Sequence, residues 1–559
     1  DSAFGINEAG DVYFTGNRYG DLCASPLPNL LPWFRGVIGA EIEPRDIAPE
    51  HYPPHIPAAQ TAPAFVAALV GFNTDQITQD DELRLRHGHG HTVEEMYAIK
   101  HQGLPRIPDY VIYPESEAQV QTVVQAALAH GVCLIPYGGG TNVTDALRCP
   151  VGETRPIAVV AMARMNAIEW IDPVTQTACI QAGAAGRNIT TQLAEYGYTL
   201  GHEPDSVEFS TMGGWVATNA SGMKKNRYGN IEQIVLDVNF VAADGLISRT
   251  TCNPRESIGL NTRQWLFGSE GNLGIVTRVI VKIFPLPAKQ VYGSILFKTF
   301  EQGVAFMHAL ERSGQKPASV RLMDNLQFQF GQALKPAKKG GVAALKSKLE
   351  KWLVTGPLGF DVDKMVAVTL VFEGTAAEIS TQEHTVYLLG KAHGGFKAGA
   401  ENGKRGYLLT YGIAYIRDFV MRHHIMAESF ETSVGWRDVT TTCERIKTRI
   451  HAEHARLGLP GKAFVSCRVT QLYESGACIY VYFAYYAKGV ADPIGNYHII
   501  ENAARDEILD AGGSLSHHHG VGKLRAHFIP QIMSPAAITW RKSMKQALDP
   551  QNVFGCGNL

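Results

Sequence analysis

The sequence predicts an α+β protein with more than one domain, and three observations support this fold class. The chain has 559 residues, enough for about three or four domains at roughly 150 residues each. Apolar residues make up 45% and charged residues 19% of the chain, as in ordinary globular proteins. Short strand-like stretches mix with helical ones in two successive regions, a pattern typical of α+β domains.

The expected order has four consecutive parts: an N-terminal helical or irregular region (1–105), a first α+β domain (106–287), a second α+β domain (288–490) and a C-terminal helical segment (491–559). The first domain opens with a strand, helix and second strand at Tyr110–Tyr113, Glu117–His130 and Val132–Ile135. In the second, a Lys- and Gly-rich segment at 332–364 indicates a mobile loop. The C-terminal segment predicts helices at Tyr497–Ala511 and Pro535–Leu548.

Composition excludes several classes of protein. The net charge of −2 argues against a nucleic-acid-binding protein, so we expect any bound phosphate to rely on a few local cations. Nine cysteines without a Cys-x-x-Cys pair predict free thiols in a reducing compartment. No apolar run reaches the ~18 residues of a membrane span. The sequence shows neither a signal peptide nor a C-terminal Ser-Lys-Leu.

A glycine loop is the strongest local signal. Pro136–Asn142 places three consecutive glycines after a strand, where backbone N–H groups can converge on an anion. Val143 stands where a dinucleotide fingerprint needs glycine, and no Walker lysine follows. An ordinary tight turn is the alternative. Two more stretches of small and hydroxyl residues, Gly201–Gly222 and Gly268–Ile275, favour a ligand that satisfies their polar backbone.

Together these three blocks resemble the FAD-binding domain of the vanillyl-alcohol-oxidase and p-cresol-methylhydroxylase flavoprotein family. The resemblance implies a FAD-binding domain of two subdomains and an α+β cap domain for the substrate. It also implies non-covalent FAD, because glycines stand where covalent members often carry histidine. The implied cofactor-binding residues are Tyr137, Gly138, Gly139, Gly140, Thr141, Asn142, Val143, Asp205, Ser206, Ser210, Thr211, Thr218, Asn219, Ala220, Ser221, Glu270, Gly271, Asn272, Leu273, Gly274, Ile275 and Val276.

Further segments narrow the resemblance to the alkyldihydroxyacetonephosphate synthase family. They are Met223–Asn226, Arg321–Asp324, Tyr407–Asp418, Glu428–Thr432, Ser514–Lys523 and Asp549–Gly555. The resemblance implies that a long-chain alcohol replaces the acyl group of 1-acyl-dihydroxyacetone phosphate, through an adduct at flavin N5 and without net redox change. It also implies ether-lipid synthesis in the peroxisome, a homodimer and contact with a membrane.

The same resemblance implies roles for individual side chains. Tyr480 becomes the acid/base residue at substrate C1, the triplet His517, His518 and His519 is catalytic, and Arg417 and Arg321 bind substrate. The residues alone leave alternatives open. Tyr480 also fits an aromatic sheet face, and the triplet also fits a polar turn or a zinc site.

Other candidates stay open from the sequence. Arg321, Arg417 and Arg468 lie in strand-like apolar surroundings and suit a phosphate or a carboxylate, or an ion pair with Asp324 or Asp418. His87, His89 and His91 have alternate spacing that suits a metal, although a structural or flavin-adjacent turn is favoured. The apolar segment Leu30–Ile38 suits either membrane docking or an internal contact. An oxidoreductase such as a D-2-hydroxyacid dehydrogenase and a catalytically silent lipid-binding protein are the rival functions.

Overall fold

The computed structural model describes residues 2–16, 25–336 and 356–559, with the backbone alone at 408–414. Residues 337–355 of the predicted mobile loop, and Cys23, lie outside the described residues. The chain divides into two compact units, each built from two separate segments. The first unit comprises residues 1–50 and 287–517, and the second comprises residues 51–286 and 518–559.

The strands of the described residues are, in chain order, β1 (Phe4–Ile6), β2 (Val12–Phe14), β3 (Pro26–Leu27), β4 (Ile77–Thr78), β5 (Tyr110–Ile112), β6 (Cys133–Tyr137), β7 (Ile157–Ala161), β8 (Ile168–Asp172), β9 (Thr177–Gln181), β10 (Tyr198–Thr199), β11 (Val235–Ala242), β12 (Gly245–Ile247), β13 (Ile275–Lys282), β14 (Phe284–Pro285), β15 (Lys289–Phe297), β16 (Ser319–Met323), β17 (Val366–Gly374), β18 (Phe396–Lys397), β19 (Ile425–Gly435), β20 (Phe464–Leu472) and β21 (Gly476–Tyr486).

The α-helices of the described residues are α1 (Leu30–Ile38), α2 (Pro63–Ala68), α3 (Asp81–Arg86), α4 (Val93–His101), α5 (Glu117–His130), α6 (Gly186–Glu195), α7 (Met212–Thr218), α8 (Lys225–Tyr228), α9 (Ile231–Ile234), α10 (Arg263–Leu266), α11 (Phe300–Ser313), α12 (Asn325–Ala333), α13 (Ala376–Ala392), α14 (Ala400–Arg422), α15 (Val439–Arg456), α16 (Pro493–Asp510), α17 (Ile529–Ile532) and α18 (Pro535–Leu548). None of these helices is both long and apolar enough to cross a membrane.

Two main sheets organise the second unit. One has the order β4-β5-β7-β6, with β7 parallel to both β5 and β6. The other is antiparallel, with the order β12-β11-β13-β9-β8. Helix α5 connects β5 to β6; it begins after Ser116, whose side chain accepts a hydrogen bond from the Gln119 N–H, and ends at left-handed Gly131. These end residues favour the observed helix bounds.

The end of the chain completes the second unit. Phe554 forms a parallel bridge with Leu134, and both Phe554 and Val553 are buried in the main hydrophobic cluster. The side-chain amide of Asn558 donates to the backbone oxygen of Glu270 at 3.1 Å. The C-terminal segment therefore contacts both the sheet β4-β5-β7-β6 and the third predicted cofactor block, Gly268–Ile275.

A seven-stranded antiparallel sheet with the order β18-β15-β17-β16-β20-β21-β19 forms the centre of the first unit. Helix α14 crosses one face, since a Cβ at Gly406 would lie 2.6 Å from the Thr369 side chain. Helices α11 and α13 pack on the other face, where Gly303 and Gly390 meet Leu322 and Ile295 in the same way. Both faces are covered, so strands β17, β20 and β21 are buried almost throughout.

Helix α1 belongs to the core of the first unit. Its residues Leu30, Leu31 and Phe34 are buried, and the Trp33 ring stacks on Phe330 with the ring centroids 5.1 Å apart. Of the two alternatives left open for this segment, the structure therefore shows the internal contact.

The mixture of helices and sheets confirms the predicted α+β class. One local expectation is wrong: Arg417 lies on helix α14, not in a strand. Its neighbours Ile416, Phe419 and Val420 are buried, and this spacing is helical rather than alternating. Arg321 and Arg468 lie on strands β16 and β20.

Candidate functional site

The glycine loop at the end of β6 is shaped by close backbone contacts. Gly140 has φ of 70°, a conformation that L side chains rarely adopt. A Cβ at Gly139 would lie 2.0 Å from the backbone oxygen of Phe209, and one at Gly138 would lie 2.3 Å from Thr211 Oγ1. The first and second predicted blocks therefore touch at positions where only glycine fits.

The loop also presents unused donors. In the described part of the chain, no backbone N–H of residues 138–141 donates a hydrogen bond to another protein group. Buried peptide N–H groups are nearly always paired, with protein, water or a ligand. A narrow cradle with several free N–H groups suits the diphosphate of a dinucleotide.

A cavity in the second unit joins the three predicted blocks. Its empty volume, with the open mouth included, is about 1140 Å³. The predicted cofactor-binding residues in its lining are Tyr137, Gly138, Gly139, Gly140, Thr141, Asn142, Val143, Ser206, Ser210, Thr211, Thr218, Ala220, Ser221, Glu270, Gly271, Gly274, Ile275 and Val276. The others, Asp205, Asn219, Asn272 and Leu273, lie outside this lining, and their role stays a prediction.

The lining also contains residues that the sequence did not single out, among them Trp215 and Met162, as well as the predicted His518 and His519. It includes no Lys or Arg among the described residues, and the expectation that a few local cations hold a bound phosphate stays a prediction. The peptide N–H groups of the glycine loop can donate to a phosphate without a side-chain charge.

Glu270 holds the loop that follows the histidines at 517–519 through hydrogen bonds. Its carboxylate accepts hydrogen bonds from the backbone N–H groups of Val521 (3.1 Å) and Gly522 (2.8 Å) and from Thr144 Oγ1 (3.0 Å). Burial raises the pKa of Glu270 above its ordinary value. Glu270 thus connects the glycine-loop region to the segment just after His519, within one unit.

The alternate histidines at 87–91 pack against the end of the glycine loop. A Cβ at Gly90 would lie 2.4 Å from the backbone oxygen of Asn142, which also accepts a hydrogen bond from the His91 N–H at 2.6 Å. The His87 ring lies 4.6 Å from the Tyr137 ring, and burial lowers the pKa of both His87 and His89. Close packing beside the glycine loop therefore explains Gly90, whereas a Cβ at Gly88 would lie 2.9 Å from the Pro108 ring.

His202 is a buried side chain that the sequence did not single out. Its ring lies edge-on to Trp215, with the centroids 4.8 Å apart, and neither ring nitrogen has a hydrogen-bond partner among the described residues. Burial lowers the pKa of His202 to about 3, so the imidazole is neutral. Trp215 lines the cavity, and its indole N–H donates to Ser210 Oγ at 2.8 Å.

The first unit carries a polar sheet face, which we call the arginine–tyrosine face. Strand pairing places Met323 opposite Arg468, Arg468 opposite Tyr480, and Tyr480 opposite Glu431. Directly paired antiparallel residues, and residues two apart on one strand, share a face. The face is formed by Arg321, Ser429, Glu431, Arg468, Tyr480 and Tyr482.

Tyr480 has defined neighbours on this face. Its hydroxyl lies 3.0 Å from Ser429 Oγ, and the guanidinium of Arg468 lies 4.4 Å from the centre of its ring. The Tyr482 ring follows at 5.3 Å from the Tyr480 ring. Tyr480 is 8% exposed and Arg468 4%, so both are largely withdrawn from water.

His517 is held by the same face. The carboxylate of Glu431 accepts hydrogen bonds from the His517 N–H (2.5 Å) and Ser516 Oγ (2.7 Å), and His517 Nε2 lies 2.7 Å from the Tyr473 hydroxyl. The sequence did not single out Glu431, Ser429 or Tyr473. The only signal was the Glu428–Thr432 segment, which carried the resemblance without assigning a role to any residue in it.

The predicted substrate arginines differ in their contacts. Arg417 forms an ion pair with Glu428 at 2.8 Å, and the guanidinium of Arg321 lies 5.8 Å from the centre of the Tyr407 ring. Asp324, one of the expected arginine partners, instead pairs with Lys447 at 2.8 Å and accepts from the Cys467 N–H at 2.7 Å. The expected carboxylates are thus replaced by Glu428 in the pair with Arg417.

Comparisons with known proteins define the class first. A family described as an FAD binding domain matches residues 108–251, and another, described as the C-terminal domain of FAD linked oxidases, matches residues 286–559. The solved structure of p-cresol methylhydroxylase with substrate bound has a TM-score of 0.64 at 15% identity and covers 89% of this chain and 95% of its own. The chain is therefore a flavoprotein of the FAD-linked oxidase fold, and FAD is its cofactor.

A closer likeness then gives the family. Alkyldihydroxyacetonephosphate synthase of Caenorhabditis elegans is 42% identical over 562 residues, which cover 100% of this chain and 93% of that protein. A solved alkyldihydroxyacetonephosphate synthase structure has a TM-score of 0.86 at 27% identity and covers 100% of this chain and 96% of its own. The chain belongs to the alkyldihydroxyacetonephosphate synthase family. The predicted family, fold class and cofactor are confirmed.

Proposed function

We propose that this protein forms the ether bond of ether lipids by exchanging the acyl group of 1-acyl-dihydroxyacetone phosphate for a long-chain alcohol. Similarity to a synthase across the whole chain supports this reaction class. The structural observation that carries the proposal is the arginine–tyrosine face, where a buried phenol stands among guanidinium groups. Such a face suits a substrate that carries a phosphate and needs a proton moved at carbon.

The exchange balances without an external oxidant or reductant. The bond between C1 and the acyl oxygen breaks, and that oxygen leaves with the fatty acid. The oxygen of the alcohol then bonds to C1, and its proton is released. FAD, when bound, would supply the electron pair that C1 needs after the fatty acid has left and before the alcohol oxygen bonds to it. The residues of the glycine loop, Gly138–Thr141, would hold its diphosphate through their backbone N–H groups.

The side chains of the first unit take the remaining roles. Arg321 and Arg417 bind the anionic part of the substrate, because a planar guanidinium can hold phosphate or carboxylate oxygens in pairs. Tyr480 removes a proton from C1 and later returns it, with its hydroxyl oriented by Ser429. The histidines at 517–519 are the further proton carriers, since imidazole exchanges protons near neutral pH.

The decisive experiment follows product and protons together. Purified protein is given acyl-dihydroxyacetone phosphate and a long-chain alcohol in heavy water. We expect an alkyl product with deuterium at C1, release of one fatty acid for each product formed, and no oxygen consumption. Reduction of the flavin by D-lactate or glycolate, with no ether product, would instead support a 2-hydroxyacid oxidoreductase.

Further parts of the proposal rest on the family resemblance. We infer that FAD is bound non-covalently, because the first loop offers glycines rather than a histidine as its tip. Heat denaturation should release the yellow chromophore into the supernatant, and colour that precipitates with the chain would contradict this. Peroxisomal localisation, a homodimer and contact with a membrane surface complete the proposal.

A further inference from the structure

Arg468 is a buried cation without a role in the reaction as described so far. It stands directly opposite Tyr480 in the pairing of β20 with β21, and both are withdrawn from water. Its guanidinium lies 4.4 Å from the centre of the Tyr480 ring and 5.1 Å from that of Tyr482. The cation is therefore placed against aromatic faces, in the arrangement of a cation–π contact.

Tyr480 is flanked by opposite charges. On its other side β19 places Glu431 directly opposite, and that carboxylate is engaged by the His517 N–H and Ser516 Oγ. Ser429 and Tyr482 are the polar neighbours on the same face, and Arg321 lies on it two strands away. Helix α14 covers the face, and its described charged residues include Arg417, which is paired with Glu428, as well as Arg405 and Asp418.

This balance decides which form of Tyr480 is favoured. A carboxylate disfavours a neighbouring phenolate, whereas a cation within about 4–6 Å favours it. The carboxylate of Glu431 already accepts two hydrogen bonds, which disperse part of its charge. Arg468 is the described cation in direct contact with the Tyr480 ring, and at low exposure its field is weakly screened.

We propose that Arg468 is a positioning residue that fixes the Tyr480 ring and favours its phenolate form, so that Tyr480 can accept the C1 proton near neutral pH. This inference rests on the proposed function, in which Tyr480 handles that proton. An unassisted tyrosine ionises only near pH ~10. Without a neighbouring cation, Tyr480 would therefore be a poor base in neutral solution.

The test compares Arg468→Met with the wild type, alone and combined with Tyr480→Phe. In the wild-type background we expect kcat to fall about tenfold or more at neutral pH and to recover as pH rises, because the ionisation of Tyr480 moves up by about one pH unit or more. In the Tyr480→Phe background the same substitution should change kcat within about twofold, since the group it acts through is gone. Tyr486→Phe is the matched control, because the Tyr486 hydroxyl donates to the backbone oxygen of Glu41 at 3.4 Å, and we expect no shift of the pH profile.

An optical titration provides a readout independent of turnover. The ultraviolet absorbance of tyrosinate is titrated in wild type and in Tyr480→Phe, and the difference isolates the ionisation of Tyr480. The same pair of titrations on the Arg468→Met background should show that ionisation at higher pH. If Arg468→Met does not fold, Arg468→Lys replaces it, with a smaller shift because the charge stays and the planar group is lost.

Three outcomes would overturn the proposal. One is equal loss of kcat from Arg468→Met in both backgrounds. Another is a raised KM with unchanged kcat, which would make Arg468 a substrate-binding residue instead. The third is an unchanged optical titration. Absence of ether product from the wild type would contradict the proposed function only, because the titration still tests whether Arg468 controls Tyr480.

Discussion

His202 shows how one buried side chain makes stability depend on pH. Burial lowers the pKa of its imidazole to about 3, whereas in the unfolded chain it is about 6.5. The unfolded state therefore takes up the proton first as pH falls. The contribution of neutral His202 to stability is complete above pH ~6.5 and is lost as pH falls toward 3. Between pH 6.5 and 4.5 the loss amounts to about 2–3 kcal/mol.

The measurement is the thermal midpoint of unfolding at several pH values in this range. We expect His202→Phe, which keeps an aromatic ring beside Trp215, to have a flatter dependence on pH than the wild type. His130→Phe is the control, because His130 is exposed at the end of α5 and should leave the dependence unchanged. Equal slopes for His202→Phe and wild type would show that the buried imidazole is not the responsible group.

Arg417 allows a second prediction at this scale. Its guanidinium is paired with Glu428 at 2.8 Å, and we propose that it also binds the substrate anion. Arg417→Ala should abolish product formation while the flavin absorbance of the purified protein is retained. Arg417→Lys should recover little activity, because one ammonium cannot reproduce a planar fork of donors. Near-normal turnover of the lysine variant would remove Arg417 from the proposed site.

At the scale of elements, the glycine loop gives the sharpest prediction. An alanine Cβ at position 139 would lie 2.0 Å from the backbone oxygen of Phe209, so the two blocks that form the cradle must separate. We expect Gly139→Ala to bind FAD at least about tenfold more weakly, which corresponds to about 1.4 kcal/mol. The measurement is the flavin retained after dialysis and the Kd on adding FAD back.

Gly152→Ala is the matched control. A Cβ there meets nothing within 4 Å, so FAD binding should equal that of the wild type. Full FAD affinity in Gly139→Ala would mean that the close contact at the loop is not needed for the cofactor.

Some helices were predictable because residues close in sequence determine where they begin and end. Helices Glu117–His130 and Pro535–Leu548 have the predicted bounds, and each begins after a serine whose side chain accepts a backbone hydrogen bond. Helix Pro493–Asp510 begins four residues before the predicted Tyr497, because Pro493 fits the first helical turn and Asp492 caps it.

The arrangement of the arginine–tyrosine face could not be predicted in this way. Tyr480 was found through resemblance, but Glu431 and Ser429 lie about fifty residues earlier in the chain and meet it only through the register of β19 with β21. Register depends on pairing between distant strands, and a shift of one residue would turn these side chains to the opposite face. Without knowledge of which strands pair, the amino-acid sequence therefore indicates the residue types of this face but not which of them are in contact.

At the scale of the whole molecule, the FAD-binding unit is assembled from two distant parts of the chain. Residues 518–559 supply Phe554 to its core and Asn558 to the backbone of Glu270. We therefore expect a fragment of residues 51–286 to retain no FAD, and co-expression with residues 518–559 to restore it. Copurifying flavin absorbance is the measurement. A fragment 51–286 that holds FAD without the second segment would contradict this expectation.

The bridge between Leu134 and Phe554 also has a consequence for biosynthesis. A ribosome that has finished residues 51–286 must still translate all of residues 287–517 before the segment that completes this unit emerges. Contacts of such long sequence separation form late and slowly, and incomplete units expose apolar surface meanwhile. The FAD-binding unit can therefore be completed only after residues 287–517 have been made, and until then its exposed apolar surface is what chaperones have to protect.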